Sequence, residues 1–183
     1  MNNQVLTADH GFSVGVLVPG WIGAYSIKWV QDIEVSCKPI WVRRNTESYI
    51  LESELWPAAQ YAPAKGEAIT RLNIKSSLAS CWPASLSAGL PTIHGYARSP
   101  GFLIASVCWS DNQGQSWNES RLGENNEKYA WRRFEFDWLA NPGERILMTK
   151  TADESGQSQP LNIPFNNGGY LYNAIHPHPV TVS

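Results

Sequence analysis

Three polar side chains in a glycine-rich stretch near the N-terminus are the first candidates for chemistry in this 183-residue chain. The stretch DHGFSVGVLVPGWIGAYSIKW, residues 9–29, contains His10, Ser26 and Lys28. An imidazole or a hydroxyl can donate or accept a hydrogen bond. Lys28 lies between two apolar residues on a predicted strand, where a buried ammonium group needs a partner. These groups could bind an anion. Alternatively, His10 bonds only to the backbone of its loop, and Lys28 lies half-exposed on a polar face.

No other set of side chains predicts catalysis or metal binding. His176 and His178, in the sequence HPHP, could be two metal ligands, but two ligands in a proline-rich tail make a poor site. His94 has no nearby Ser–Asp or Cys partner that would complete a triad. The remaining paired carboxylates lie in predicted connector or turn sequence, where solvated charges are the usual case: Glu52 with Glu54, and Asp153 with Glu154.

The three cysteines indicate neither a disulfide framework nor a zinc site. Cys37, Cys81 and Cys108 are an odd, widely spaced set without a CxxC pair. Cys108 lies in the apolar sequence LIASVCW, which predicts an inert buried thiol.

The bulk composition excludes some classes of partner. A net charge of −2 gives no reason to expect a nucleic acid or an anionic membrane. No apolar run approaches the ~20 residues of a transmembrane helix, and the N-terminus lacks the pattern of a signal peptide. We expect a soluble protein, and the sequence does not distinguish a bacterial-type periplasm from the cytoplasm. Nine tryptophans suggest a core or an interface of bulky aromatic contacts.

The elements that must position these residues are predicted to be strands. Apolar and polar residues alternate in ITRLNIK and RRFEFDW, as in half-buried strands, and FLIASVCW is typical of a more buried one. SDNQGQSW predicts a turn with Gly114 at a positive φ. RILMTKTAD and HPVTVS add two strands. This spacing, from about Glu67 to Ser183, favours an immunoglobulin-like antiparallel β-sandwich.

The first 60 or so residues are different. VGVLVPG and YSIKWVQDIEVS are predicted strands, whereas WVRRNTESYILESELWPAAQYAPAKGE is predicted to be a connector. We expect this region to form no core of its own and to pack on the sandwich or on polypeptide outside this chain.

Several motifs resemble the sulfite oxidase family of molybdopterin oxidoreductases. HGFSVGVLVPGWIGAYSIKW is similar to HG-aromatic-P-V-R, apolar-VPG and G-A-R-S-V-K-W at the end of the family's molybdopterin-binding domain. IHGYARSPGFLIASVCWSDNQGQSW resembles G-Y-A-W-S followed by V-S-x-D-G-G-x-T-W. ADESGQSQP and FNNGGYLYNAIH resemble D-x-x-G-x-x-Q-P and W-N-x-x-G-Y-x-x-N-x-x-H. The resemblance covers nearly the whole chain, in order.

The resemblance implies a mainly β fold in three parts. Residues 1–36 would be the C-terminal remnant of an α+β molybdopterin-binding domain, 37–66 a connector and 67–183 an immunoglobulin-like dimerisation domain. Because MNNQVLTADHG is similar to a sequence inside the family's cofactor domain, we expect the larger catalytic half to be absent. In the family, a cysteine thiolate from that half ligates molybdenum, and no cysteine of this chain matches its position. We therefore expect no catalytic residue and no metal ligand here.

The resemblance also implies roles for individual residues. His10 and Lys28 match family positions that contact the molybdenum–molybdopterin cofactor, and Ser26 would offer its hydroxyl or backbone N–H to the same group. Gly15 stands where the family usually has an arginine that binds the cofactor phosphate through two parallel hydrogen bonds. Gly168 stands where animal and plant sulfite oxidases have an arginine that reaches the substrate anion.

Two functions follow as hypotheses. The first is the C-terminal part of a sulfite-oxidase-type molybdenum oxidoreductase, inactive alone, that contributes part of the cofactor pocket and the dimer interface. Its partner would be a second copy or a cofactor-domain chain, and the complete enzyme would act on a small anion. The alternative is an orphan immunoglobulin-like dimerisation or interaction module with neither cofactor nor catalysis. The sequence predicts neither the substrate nor the electron acceptor.

Overall fold

The structure of this chain is a computed structural model that describes residues 4–56 and 63–183. It divides into two units. The first runs to Leu72 and includes Pro164–Tyr170, and the second consists of Asn73–Ile163 and Leu171–Ser183. Residues 1–3 of the predicted remnant and 57–62 of the predicted connector lie outside the described residues. The three-part division made from the sequence stays a prediction.

The first unit has short elements and a small core. It contains two 3-10 turns, Ala8–His10 and Gly23–Tyr25, a π-helical turn, Arg44–Ser48, and an antiparallel pair of strands, β1 (Ile50–Leu51) and β2 (Glu67–Ala68). Ile50, Leu51 and Ile69 are its buried apolar side chains among the described residues. Many other large apolar side chains are exposed, including Val5, Phe12, Leu17, Ile33 and Val35.

The second unit is a β-sandwich of nine strands. They are β3 (Lys75–Leu78), β4 (Ala84–Leu86), β5 (Thr92–Arg98), β6 (Ile104–Ser110), β7 (Asn118–Glu119), β8 (Arg121–Leu122), β9 (Arg132–Asp137), β10 (Gly143–Asp153) and β11 (His178–Val182). One sheet has the order β3-β5-β9-β8, and the other has the order β4-β11-β10-β6-β7. All pairs are antiparallel except β4 with β11 at an edge. The predicted mainly β sandwich is confirmed.

Alternating side chains build the core between the two sheets. On β9, Phe134 and Phe136 point inward, as RRFEFDW predicts, and Trp138 directly after the strand is also buried. Trp109 of β6 stacks on Phe136 with ring centroids 4.5 Å apart. At Gly95 of β5, a side chain would overlap the Phe134 ring, so this close approach requires glycine. The predicted positive φ at Gly114 is confirmed, at 82°.

The sequence ITRLNIK was predicted to be a strand, and this prediction is wrong for most of its length. Only an isolated bridge at Arg71 and the first residue of β3 have strand pairing. The reason is that the chain passes from the first unit to the second at Leu72. Its backbone therefore bonds to irregular segments, with Ile69 N–H donating to Tyr49 O and Leu72 N–H to Gly20 O.

The sequence ADESGQSQP forms a turn in the second unit, and two of its polar side chains, Asp153 and Gln159, are buried. Asp153 accepts hydrogen bonds from the Ser99 and Ser155 hydroxyls, at 2.6 Å each. Burial raises the pKa of Asp153, but the hydrogen bonds from Ser155, Ser99 and the backbone together hold it below its usual value. Gln159 is also buried, and its side chain accepts hydrogen bonds from Ser76 and donates one to Ala174 O. The motif is therefore structural in this chain.

The cysteines are free, and the described residues include no helix long and apolar enough to cross a membrane. Cys108, predicted to be buried, is half-buried. Burial nevertheless raises the pKa of its thiol, which disfavours the reactive thiolate.

Candidate functional site

The first unit contains an open pocket of about 380 Å³ that brings the three predicted site residues together. His10, Ser26 and Lys28 all line it. The rest of the wall consists of Gly15 and four apolar residues, Leu6, Val16, Leu17 and Ile27. The pocket therefore combines polar groups with an apolar surface.

Two extended segments form one side of the pocket. Val16 and Ile27 form an antiparallel bridge, and each backbone N–H donates to the other's carbonyl at 2.9 Å. This bridge places Gly15, which precedes Val16, and Lys28, which follows Ile27, at the same pocket wall. Ser26 follows the Gly23–Tyr25 turn, and its Oγ accepts a weak hydrogen bond from Val18 N–H at 3.4 Å.

Lys28 and Trp29 tie the Ala8–His10 turn to these segments. Lys28 Nζ donates to Asp9 O at 2.6 Å, and Trp29 Nε1 donates to Ala8 O at 2.9 Å. These two bonds hold His10 beside Lys28. The Lys28 side chain is exposed rather than buried, so the need of a buried ammonium for a partner does not apply. Among the described residues, the Lys28 ammonium uses one of its three donors, so two remain for a bound group.

His10 is oriented from within its own turn. Its Nδ1 lies 2.7 Å from Thr7 Oγ1. Among the described residues, Nε2 makes no hydrogen bond, so it is available to a bound group. The ring can donate or accept there, depending on its tautomer.

Gly11 lets the turn approach Lys28 closely. Its φ is +98°, in the region that favours glycine. A Cβ at this position would also lie 2.9 Å from Lys28 Cβ. The HG pair thus has a physical basis, because histidine ends the turn and glycine permits the contact with Lys28.

Gly15 leaves the pocket with one permanent cation. A Cβ at Gly15 would lie 3.2 Å from Ile27 O, and its φ is not in the positive region. A side chain at this position therefore needs only a small adjustment. The arginine that the family resemblance implies at position 15 would therefore meet little crowding in this structure.

The sequence of this chain matches known proteins, and the segment that contains the pocket matches a family model. Residues 1–41 match the family model described as "Oxidoreductase molybdopterin binding domain". Over 96% of its length, the chain is 31% identical to mitochondrial sulfite oxidase of Mus musculus; over its whole length, it is 29% identical to that of Homo sapiens. The chain is therefore similar in sequence to sulfite oxidases over nearly its whole length.

The chain spans about a third of the length of the curated proteins it matches, 34% of the mouse protein and 35% of the human one. Its fold is also that of part of a solved structure, the sulfane dehydrogenase SoxCD from Paracoccus pantotrophus. The TM-score is 0.78 at 24% identity, over 97% of this chain and 48% of that one.

The other histidines of the chain lie outside the pocket. His178 is buried, and its Nε2 lies 2.7 Å from Cys81 O and 3.0 Å from Ser80 Oγ. Burial lowers its pKa. His176 packs on Trp82 with ring centroids 5.6 Å apart, and His94 packs against a neighbouring tyrosine. The described residues contain no group of three or more His, Cys, Asp or Glu side chains that could hold a metal ion.

Gly168 is closely covered by the ring of Tyr170. Any side chain at Gly168 would overlap that ring. Tyr170 is fixed by Asn166, whose Oδ1 accepts from Tyr170 N–H and whose Nδ2 donates to Tyr170 O, both at 2.9 Å. The centroid of the Tyr170 ring also lies 5.6 Å from the centroid of the Tyr49 ring. The arginine that the resemblance implies at position 168 would therefore overlap the Tyr170 ring, whereas one at position 15 would meet little crowding.

Installing that arginine should therefore cost stability. We expect Gly168→Arg to lower the free energy of unfolding by about 1–3 kcal/mol, because the Tyr170 ring must move. Urea unfolding would measure the loss. The cost of the arginine should be smaller when Tyr170 is alanine, and equal costs in both backgrounds would contradict this steric explanation.

Sequence reasoning missed the groups that hold the pocket together. Thr7 Oγ1 and the carbonyl of Asp9 orient His10 and Lys28, respectively. A threonine three residues before the histidine is the available signal for the first contact. The second involves a backbone carbonyl, which carries no residue-type signal.

Proposed function

We propose that this chain acts as the C-terminal part of a sulfite-oxidase-type molybdenum oxidoreductase and supplies one wall of its cofactor pocket. The observation that carries the proposal is that His10, Ser26 and Lys28 line one pocket within the segment matched by the molybdopterin-binding family model. The described residues offer no self-sufficient catalytic set, so the chain alone is expected to be inactive.

The pocket residues fit an anionic, flat-ringed cofactor. Lys28 keeps ammonium donors free for a phosphate, and His10 Nε2 and the Ser26 hydroxyl offer further hydrogen bonds. Val16 and Leu17 supply apolar surface that suits the face of a ring system. When bound, molybdenum–molybdopterin supplies oxygen-atom transfer at the metal. The chain's own residues bind and orient the phosphate-bearing end.

Exposed apolar side chains in the first unit support a partner. Val5 is 82% and Val35 is 93% exposed, and Leu17 and Ile33 are more than half exposed. Extensive exposed apolar surface is typical of interaction sites. We propose that a cofactor-domain chain or a second copy covers it, and that the complete enzyme takes a small anion as substrate.

A cofactor titration of the purified chain tests the pocket. Followed by NMR at the Gly15 and Lys28 amides, molybdopterin should shift both signals. Lys28→Gln should weaken binding about 10- to 100-fold, because a hydrogen bond to a charged group contributes about 1.5–3 kcal/mol. Gly15→Arg should strengthen binding by restoring a cation that can bind phosphate through two hydrogen bonds.

Lys38→Gln is the matched control, because Lys38 is exposed and does not line the pocket. Equal weakening by both glutamine variants would contradict a specific role for Lys28. A chain that binds no cofactor but forms a dimer in light scattering would instead favour the interaction module, whereas a clean monomer would argue against a dimerisation role.

A further inference from the structure

Two cations lie side by side on the outer face of the sheet β3-β5-β9-β8. Lys75 of β3 and Arg98 of β5 are directly opposite each other in the antiparallel register. Residues opposite each other in such a pair point to the same face, with Cβ atoms about 4.5–5.5 Å apart. Their charges interact, since Arg98 contributes to lowering the pKa of Lys75 after the larger effect of burial.

The other cations on this face are neutralised. Arg121 Nη1 lies 2.8 Å from Asp137 Oδ2, and Arg133 Nη2 lies 3.3 Å from Glu135 Oε2. Within residues 4–56 and 63–183, neither Lys75 nor Arg98 forms a salt bridge with a carboxylate. The unbalanced positive charge of the face is therefore concentrated at this pair.

Aromatic rings frame the two cations. Lys75 Nζ lies 5.5 Å from the centroid of the Tyr172 ring and donates to Tyr172 O at 3.1 Å. Arg98 Cζ lies 5.2 Å from the centroid of the Trp131 ring. Both aromatic residues are about half exposed, Tyr172 at 48% and Trp131 at 50%. The rings restrict where the cationic groups can lie and partly remove them from water.

Both cations retain unused donors. In the part of the chain that the structure describes, the Arg98 guanidinium makes no hydrogen bond, and Lys75 uses one of its three donors. Like charges directly opposite each other destabilise a sheet, and burial lowers the pKa of Arg98 as well. An anion bound between the two groups would offset the repulsion between the cations and stabilise their charged forms.

We propose that Lys75 and Arg98, framed by Tyr172 and Trp131, form a binding site for a doubly charged tetrahedral oxyanion such as phosphate or sulfate. Two adjacent cations match two negative charges, and the planar guanidinium fork suits two oxygens of one anion. The exposed rings leave room for an organic group that carries the anion. This site does not depend on the proposed cofactor function, because its residues all belong to the second unit.

NMR titration of the full chain with inorganic phosphate and with sulfate, at constant ionic strength, tests the proposal. The Trp131 indole signal and the Tyr172 amide should shift with a single saturating curve. Lys75→Gln and Arg98→Gln should each weaken binding at least about 10-fold, as expected for loss of one charged hydrogen bond. Arg98→Lys keeps the charge but loses the fork, so it should weaken binding less than Arg98→Gln.

Arg133→Gln is the matched control, since it removes one positive charge from the same face at a position already paired with Glu135. It should change the dissociation constant by less than about 2-fold. Equal weakening by Arg133→Gln, or no shift at Trp131 with either anion, would overturn the proposal. Sheet amide signals report whether each variant is folded.

A titration with phenyl phosphate distinguishes two sources of the bound anion. Tighter binding than inorganic phosphate indicates an anion carried on a larger molecule, and equal binding indicates a free ion.

Discussion

Trp138→Ala is expected to lower the free energy of unfolding by about 3–5 kcal/mol. Only 1% of Trp138 is exposed, and it belongs to the main core cluster of the sandwich. Its truncation leaves a large cavity between the sheets, and the lost contacts are regained only where neighbours can collapse inward. It also removes the indole N–H that donates to Asp111 Oδ2 at 3.1 Å.

Chemical denaturation followed by far-ultraviolet circular dichroism measures this loss. Leu139→Ala is the matched control, because Leu139 is the next residue and is 64% exposed. It should change the free energy of unfolding by less than about 0.5 kcal/mol. A loss below about 1 kcal/mol for Trp138→Ala would show that the core can refill the space.

Gln159→Leu is expected to have the next largest effect, a loss of about 3 kcal/mol. Gln159 is 2% exposed. Its Oε1 accepts from Ser76 N–H at 3.0 Å and from Ser76 Oγ at 2.7 Å, and its Nε2 donates to Ala174 O at 3.2 Å. Leucine has a similar size but cannot replace the hydrogen bonds to Ser76 N–H and Ala174 O, and each buried group that loses its partner carries a desolvation penalty. Ser76 Oγ keeps its contact with Thr149 Oγ1 at 3.0 Å.

Gln157→Leu makes the same chemical change two residues away, where the side chain is exposed. We expect it to alter stability by less than about 0.5 kcal/mol. Matching losses for the two variants would mean that the hydrogen bonds of Gln159 are not the cause. The same denaturation assay serves both.

The sandwich could be predicted because its signal is local. The alternation of RRFEFDW reports burial directly, and Phe134 and Phe136 are indeed in the core. The strand predicted at ITRLNIK failed because the same alternation occurs where the chain leaves one unit for another. Periodicity indicates which side chains are buried but does not identify the backbone partner.

The pocket was only partly predictable. His10, Ser26 and Lys28 were selected from motif resemblance, and the structure places them at one pocket. The overlap of Gly168 with Tyr170 could not be predicted, because it depends on a loop conformation fixed by Asn166. The Gln159 network joins residues as far apart in sequence as Ser76 and Ala174, and one sequence carries no signal for such pairing.

The short outer strands of the sandwich limit how copies of this chain can associate. The sheets end in β3 and β8 and in β4 and β7, none longer than four residues. A sheet edge recruits another chain through a row of unpaired backbone groups, and short edges offer too few of them for stable strand addition. These edges protect the sandwich from edge-to-edge aggregation. Specific association is therefore expected through side chains on the sheet faces and loops.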